Sequence, residues 1–304
     1  AGNDTLRGQE GIDTVDYSGA PGSVQVDLEA GTATGADGND VLDRFENVIG
    51  SNYDDEISGD SGVNVLSGGA GNDTIVGRGG DDTLDGGAGD DLFIGEDGND
   101  VIIGGEGNDT LDLSARESGQ DVRLSGGSAR DTVTGENDSI SGIENVITGS
   151  GNDTVYGSTG DNIISTNEGD DIVLGGGGND TIDGGEGSDT IGFGNETGLN
   201  VNLATGTATT DSGTSEISNF ENVAGTDNDD VITGDDGNNV LSGLAGDDTL
   251  SGGGGDDILI GGDGSDTVDY SGVDSGVSVD LASGSASGEG NDTLSGIENV
   301  VSGS

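Results

Sequence analysis

The chain contains no cysteine, histidine, methionine or tryptophan, and only one proline, Pro21. Its six basic residues are all arginine: Arg7, Arg44, Arg78, Arg116, Arg123 and Arg130. Each absence closes a class of chemistry. Without histidine there is no histidine base, histidine-ligated zinc or Ser-His triad. Without cysteine there is no thiol nucleophile and no disulfide to staple the fold. Without lysine no P-loop signature can be written. No apolar run is long enough to span a bilayer, and no signal-peptide pattern opens at Ala1. A basic surface is missing too: 62 acidic residues against 6 basic give a formal charge of −56. Nucleic acid and anionic membrane, which both require positive surface, are poor partners. Residue types alone permit a glycosidase-like carboxylate pair, but aromatics make up 3% of the chain and leave little to line a sugar cleft.

Apolar residues amount to 28%, and low hydrophobicity with high net charge is the signature of a chain disordered in the absence of metal. What the chain has is period. Residues 68–112 read GGAGNDTIV, GRGGDDTLD, GGAGDDLFI, GEDGNDVII, GGEGNDTLD, five nonapeptides without a slip. Position 6 is Asp73, Asp82, Asp91, Asp100 and Asp109; position 8 is Ile75, Leu84, Phe93, Ile102 and Leu111; glycine holds positions 1 and 4. Positions 1 to 6 read as a turn of unusual dihedrals with exposed carbonyls. Positions 7 to 9 read as a short strand with one inward apolar residue. Burying one such residue yields about 1.5–3 kcal/mol, well short of the entropy lost in ordering its whole repeat. Stacked turns also set Asp over Asp. A hard dication with oxygen ligands cross-links the turns and cancels the charge, and calcium suits a flexible cage of carboxylates and carbonyls.

The pattern G-G-x-G-x-D-x-U-x resembles the RTX calcium-binding nonapeptide. That resemblance implies an all-β fold, a right-handed parallel β-roll or β-solenoid with two nonapeptides per coil and calcium between turns. It further implies that carbonyls of positions 2 and 4 and the position-6 carboxylate of one turn meet carbonyls of positions 1 and 3 and the position-6 carboxylate of the turn two repeats later. Carried onto this chain, one site uses Gly69, Gly71, Asp73, Gly86, Ala88 and Asp91. Across the runs the implied metal ligands are Asp55, Asp73, Asp82, Asp91, Asp100, Asp109, Asp153, Asp171, Asp180, Asp189, Asp230, Asp248, Asp257 and Asp266. The glycines implied with them are Gly69, Gly71, Gly86, Gly87, Gly89, Gly95, Gly104, Gly169, Gly184, Gly246, Gly252 and Gly261.

Four segments follow: a partial run with an insert (1–49), seven nonapeptides with an insert (50–147), five with an insert (148–224), and five with an insert and the start of another repeat (225–304). The three complete runs contain eleven turn pairs separated by two repeats, so roughly eleven or more calcium ions are expected. In each complete run the second nonapeptide carries Asn at position 6: Asn64, Asn162 and Asn239. Either these are weaker sites, or the opening coil holds no calcium there. The β-rich inserts (17–49, 113–147, 193–224, 270–302) share an aromatic or leucine start, a V-x-V-x-L-like core and a closing [IF]-E-N-V. They read as wider coils or hairpins joining one roll to the next, rather than as a ligand surface. Gly303 and Ser304 would occupy positions 1 and 2, and Ala1 position 3, of one nonapeptide. The ends are therefore in phase, as in a longer tandem array or a subunit associating end to end.

In most copies the recurrent Asn-Asp-Thr is positions 5 to 7 of the repeat, and it reads as no glycosylation signal. Variable position 3 (Ala70, Gly79, Ala88, Asp97, Glu106) gives no Thr-Asn ladder for ice. The preferred functional reading is a non-enzymatic, extracellular structural array of a bacterial type I-secreted protein, in contact with a cell surface or matrix. The second is the secretion and folding module of an exported enzyme. A glycan-binding module rests on the inserts alone.

Overall fold

The computed structural model describes every residue except Ala1, Glu96, Asn195, Asp274, Ser275, Glu289, Gly303 and Ser304. The expected phase match between the two ends therefore lies outside the described residues. The chain divides into two compact units, Ala1–Gly149 and Ser150–Ser304.

In the first unit each x-U-x triplet is a strand whose middle residue is buried: Ile75 in Thr74–Val76, Phe93 in Leu92–Ile94, Leu111 in Thr110–Asp112. These three strands pair in parallel, with Ile75 opposite Phe93 and Phe93 opposite Leu111. The intervening triplets form the other sheet. There Val65–Ala70, Thr83–Ala88 and Val101–Glu106 pair in parallel, with Leu66, Leu84 and Ile102 aligned. Consecutive repeats thus alternate between two sheets, and each strand meets its neighbour two nonapeptides on. This is the parallel β-roll. Period-2 alternation within so short a strand leaves room for one inward side chain, so the core is a double file of position-8 residues. The second unit repeats the arrangement: Val173 lies between Val155 and Ile191 in one sheet, and Leu250 is aligned with Ile232 and Val268 in the other.

The inserts are hairpins laid in the plane of one sheet. In the first, Val24–Asp27, Thr32–Gly35 and Gly38–Asp43 form an antiparallel meander. Its last strand pairs in parallel with Thr5–Arg7 before it, and its first with Glu56–Ser58 after it. Buried Val24, Val26, Ala33 and Leu42 continue the core file. The hairpin turns at Gly31, whose φ of 67° is that of a left-handed residue. The opposite sheet needs only one strand, the Glu-Asn-Val segment Asn47–Ile49, between Thr14–Asp16 and Val65–Ala70. Seven nonapeptides separate this insert from the second, and five separate the third from the fourth. Because these numbers are odd, the two meanders of each unit fall on opposite sheets.

The narrow core yields a direct expectation. Replacing fully buried Phe93 by Ala should destabilise the calcium-loaded protein by about 3–5 kcal/mol. Replacing Ile172, 46% exposed, by Thr should change it by less than about 0.5 kcal/mol. Chemical denaturation followed by far-UV circular dichroism checks both.

Candidate metal centres

The position-6 residues form ladders. The backbone N–H of Asp55 donates to Oδ1 of Asp73 (2.7 Å), that of Asp73 to Asp91 (2.7 Å), and that of Asp91 to Asp109 (2.9 Å). On the other side of the roll Asn64 donates to Asp82, and Asp82 to Asp100. In the second unit the ladders run Asp153 to Asp171 to Asp189, Asn162 to Asp180, Asp230 to Asp248 to Asp266, and Asn239 to Asp257. Each bond spends Oδ1 and fixes where Oδ2 must point.

For most interior turns Oδ2 points at nothing that donates. In Asp73, Asp82, Asp91, Asp109, Asp171, Asp189, Asp248 and Asp266 it is buried without a hydrogen-bond partner. In Asp73, Asp82, Asp91, Asp109, Asp248 and Asp266 it aims instead at the glycine that opens its own repeat. A Cβ on Gly68 would collide with Oδ2 of Asp73 and lie 2.8 Å from the carbonyl oxygen of Gly86. The same crowding recurs at Gly86, from Asp91 and the Gly104 carbonyl, and at Gly243, from Asp248 and the Gly261 carbonyl. At these turns glycine at position 1 is therefore a requirement of space. It lets a carboxylate oxygen and a carbonyl of the next coil converge, two acceptors with no hydrogen between them. Alone, such a cluster is costly. Its donors are all oxygen and include no nitrogen or sulfur, which selects a hard cation of the calcium type. Among the described residues no three acidic side chains converge on one point, so main-chain carbonyls must complete any coordination shell.

Burial pushes the carboxyl of Asp73 up to about 7; the Asp55 N–H opposes the rise, and the carboxylates of Asp91 and Asp55 add to it. The same cause takes Asp82, Asp91, Asp189, Asp248 and Asp257 to about 6.

The turns are of two kinds. In the interior turns position 2 has positive φ, as at Gly69, Gly87, Gly105, Gly185, Gly253 and Gly262. Arg78 and Leu244 hold the same conformation, at φ 69° and 74°, despite their side chains. The opening turns of a run differ: Ser51, Asp60, Ser158, Thr226 and Asp235 at position 2 are not left-handed. Their N–H groups close on their own position-6 residue instead. Ser51 donates to Asp55, Thr226 to Asp230 (2.6 Å), Asp60 to Asn64 (2.8 Å), Ser158 to Asn162 (2.7 Å) and Asp235 to Asn239 (2.9 Å). The amide of Asn64 further donates to the Glu46 carbonyl, and that of Asn239 to the Glu221 carbonyl. At these two positions asparagine supplies a donor toward the insert.

The glycines implied at positions 2 and 4 (Gly69, Gly71, Gly87, Gly89, Gly169, Gly246) all have positive φ. Of those at position 1, Gly86, Gly104, Gly252 and Gly261 abut Oδ2 of their own Asp, while Gly184 abuts Cβ of Asp189. Gly95 is different: Leu113, the first residue of the second insert, fills the space beside it. Asp100 nevertheless holds its place in the ladder. It donates to Asp138, an insert residue whose carboxyl burial raises to about 6.

Asp138 belongs to a group that the repeat pattern does not reveal. The ladders end on insert side chains: Asp4 donates to Asp40, Asp100 to Asp138, Asp180 to Ser215 and Asp257 to Asp292. The other ladders end on the glutamates of the Glu-Asn-Val segments. In the first and fourth inserts the first residue bonds the ladder end: the hydroxyl of Tyr17 donates to Asp40 (3.1 Å) and that of Tyr270 to Asp292 (2.6 Å), whereas the second insert opens on Leu113 and its ladder still ends on Asp138. Where that first residue is Phe193, which has no hydroxyl, the ladder ends on Ser215 and no Asp stands there.

A family model described as the RTX calcium-binding nonapeptide repeat (4 copies) matches residues 1–16, 49–84, 76–111, 138–173, 156–191, 220–250 and 233–268. The chain belongs to this family, and calcium is the metal its repeats bind. A search of curated proteins finds no match. Among solved structures, the extracellular lipase LipA from Serratia marcescens is similar at 17% identity with a TM-score of 0.18, over 80% of this chain. The aligned part spans 38% of that lipase.

Two outcomes test the centres. The raised carboxyls lie above the ordinary Asp value of about 3.9. Their contribution is therefore fully present below that value and lost as pH rises through about 6 to 7. In chelator, β-sheet circular dichroism should fall between pH 5 and 7.5, and added calcium should abolish the fall. Second, Asp91→Asn should weaken calcium binding by about tenfold at two centres, the order expected when one ligand charge is removed from an oxygen cage; calorimetry checks this.

Proposed function

We propose that this chain is a segment of an extracellular structural array, a spacer or filament segment of an adhesin, surface layer or matrix, that folds only on meeting calcium outside the cell. The observation that carries the reading is the file of buried, partnerless Oδ2 atoms repeated through both units. A fold built on such a file is unfavourable without a cation and becomes favourable with one. Calcium here does the work of the disulfides that the sequence cannot make. Cytosolic calcium is too scarce for sites of extracellular strength, with Kd of about 10⁻⁴–10⁻³ M, so folding would wait for export. Some eleven bound ions would leave the protein near −34 from its formal −56, still acidic enough to resist nonspecific association. The lack of histidine and cysteine favours a binding and structural role over catalysis.

A calcium titration read by circular dichroism and size-exclusion light scattering tests this. The expected result is a cooperative gain of β-sheet near millimolar free calcium. Growth in mass on folding supports a filament segment, and a folded monomer supports a spacer. A chain that ignores calcium overturns the reading.

A further inference from the structure

Each insert carries one feature that neither the repeat pattern nor the family match describes. The last nonapeptide before every insert has its position-6 Asp facing the glutamate of the Glu-Asn-Val segment. The N–H of Asp13 donates to Oε2 of Glu46 (2.8 Å), Asp109 to Glu144 (3.0 Å), Asp189 to Glu221 (2.8 Å) and Asp266 to Glu298 (2.9 Å). The glutamate thus takes the place that the next Asp holds inside a run. All four of these Asp residues have a buried Oδ2 without a partner. Asp109, Asp189 and Asp266 are 0% exposed.

The main chain repeats the substitution. Two residues before each glutamate stands a left-handed residue: Arg44 (φ 64°), Gly142 (62°), Asn219 (56°) and Gly296 (65°). Its carbonyl oxygen turns back onto the position-1 glycine of the preceding repeat. A Cβ on Gly8, Gly104, Gly184 or Gly261 would collide with that carbonyl. Inside a run the same spot is occupied by the position-1 carbonyl of the next coil, as Gly86 does for Gly68. Arg44 holds a conformation that a residue with a long side chain rarely adopts, so there the carbonyl's direction is maintained at some cost. The preceding turn supplies the other half: its position-2 residues Gln9, Gly105, Gly185 and Gly262 all have positive φ, like those of the interior turns.

We propose that each insert closes a calcium site of its own, formed by the Asp of the last nonapeptide, the glutamate of the Glu-Asn-Val segment and the carbonyl of the left-handed residue before it. The four sites are Asp13 with Glu46 and the Arg44 carbonyl, Asp109 with Glu144 and Gly142, Asp189 with Glu221 and Asn219, and Asp266 with Glu298 and Gly296. The choice of glutamate follows from the turn. From carbonyl to carboxylate the insert takes two residues where a nonapeptide takes five. Across that shorter spacing the glutamate, one methylene longer than aspartate, reaches the same Asp N–H that the next Asp accepts inside a run. The inserts are then binding elements that continue the calcium file.

This rests on the calcium reading above, and the test separates the two. In the full chain, Glu46, Glu144, Glu221 and Glu298 are changed to Gln singly and together. Gln keeps an oxygen for the Asp N–H, so the ladder survives while the charge is lost. Bound calcium is measured by equilibrium dialysis and elemental analysis across free calcium up to several millimolar, with circular dichroism as the check on folding. The expected result is one ion fewer per single variant, or at least tenfold weaker binding of that ion, and four fewer in the fourfold variant. Asp82→Asn, in an interior turn, serves as the control for losing an ordinary centre. Wild-type stoichiometry and affinity in the single variants would overturn the proposal, even if their thermal stability falls, because a purely structural glutamate predicts that pattern. Should the fourfold variant not fold, the single variants decide. A wild-type chain that binds no calcium would instead overturn the calcium reading itself.

Discussion

The structure depends on a repulsion that it does not itself relieve. Most interior turns bury a partnerless carboxylate oxygen, and beside Gly68, Gly86 and Gly243 it stands against a carbonyl of the next coil, acceptor facing acceptor. The apolar core cannot outweigh this, because each strand contributes one inward side chain such as Ile75 or Leu84. A dication reverses the sign of the interaction, since what repels without it becomes a coordination shell with it. On the proposed reading, folding and metal binding are one event. The rise of Asp73 to about 7 expresses the same conflict: without metal, a proton is the cation at hand.

The inserts solve a problem of ladder ends. A file of Asp residues, each accepting an N–H from the coil before, has to terminate somewhere, and an unmatched end would leave a buried N–H without an acceptor. Glu46, Glu144, Glu221 and Glu298 end one file of each run; Asp40, Asp138, Ser215 and Asp292 end the other. At two of these ends, Asp40 and Asp292, the tyrosine that opens the insert donates its hydroxyl to the terminal carboxylate. The hairpins add three strands to one sheet while the other gains one, so the core file continues without a gap.

Much of this was legible in the sequence because the repeat couples each residue type to one structural duty. A strict nine-residue period with Asp at position 6 and an apolar residue at position 8 leaves one arrangement in which like stacks on like. Glycine at positions 1 and 4 was legible as conformational need; that position 1 is equally a matter of space beside Oδ2 was not, because the crowding atom comes from a neighbouring coil. The Asn64, Asn162 and Asn239 signature was visible as a regularity. Its reason was not: the amide of Asn64 donates to the carbonyl of Glu46, which lies in a different type of segment.

The sequence by itself determined the class of fold, the oxygen-only chemistry and the demand for a cation, since all three follow from local residue types repeated at a fixed spacing. Only the tertiary structure decided which turns bury a partnerless carboxylate and which close on themselves, as Ser51 does onto Asp55. It alone showed that the Glu-Asn-Val glutamates stand in the Asp file. The physical reason is distance along the chain: Glu144 meets Asp109 across thirty-five residues and a three-stranded hairpin, a separation that no periodic reading of the sequence spans.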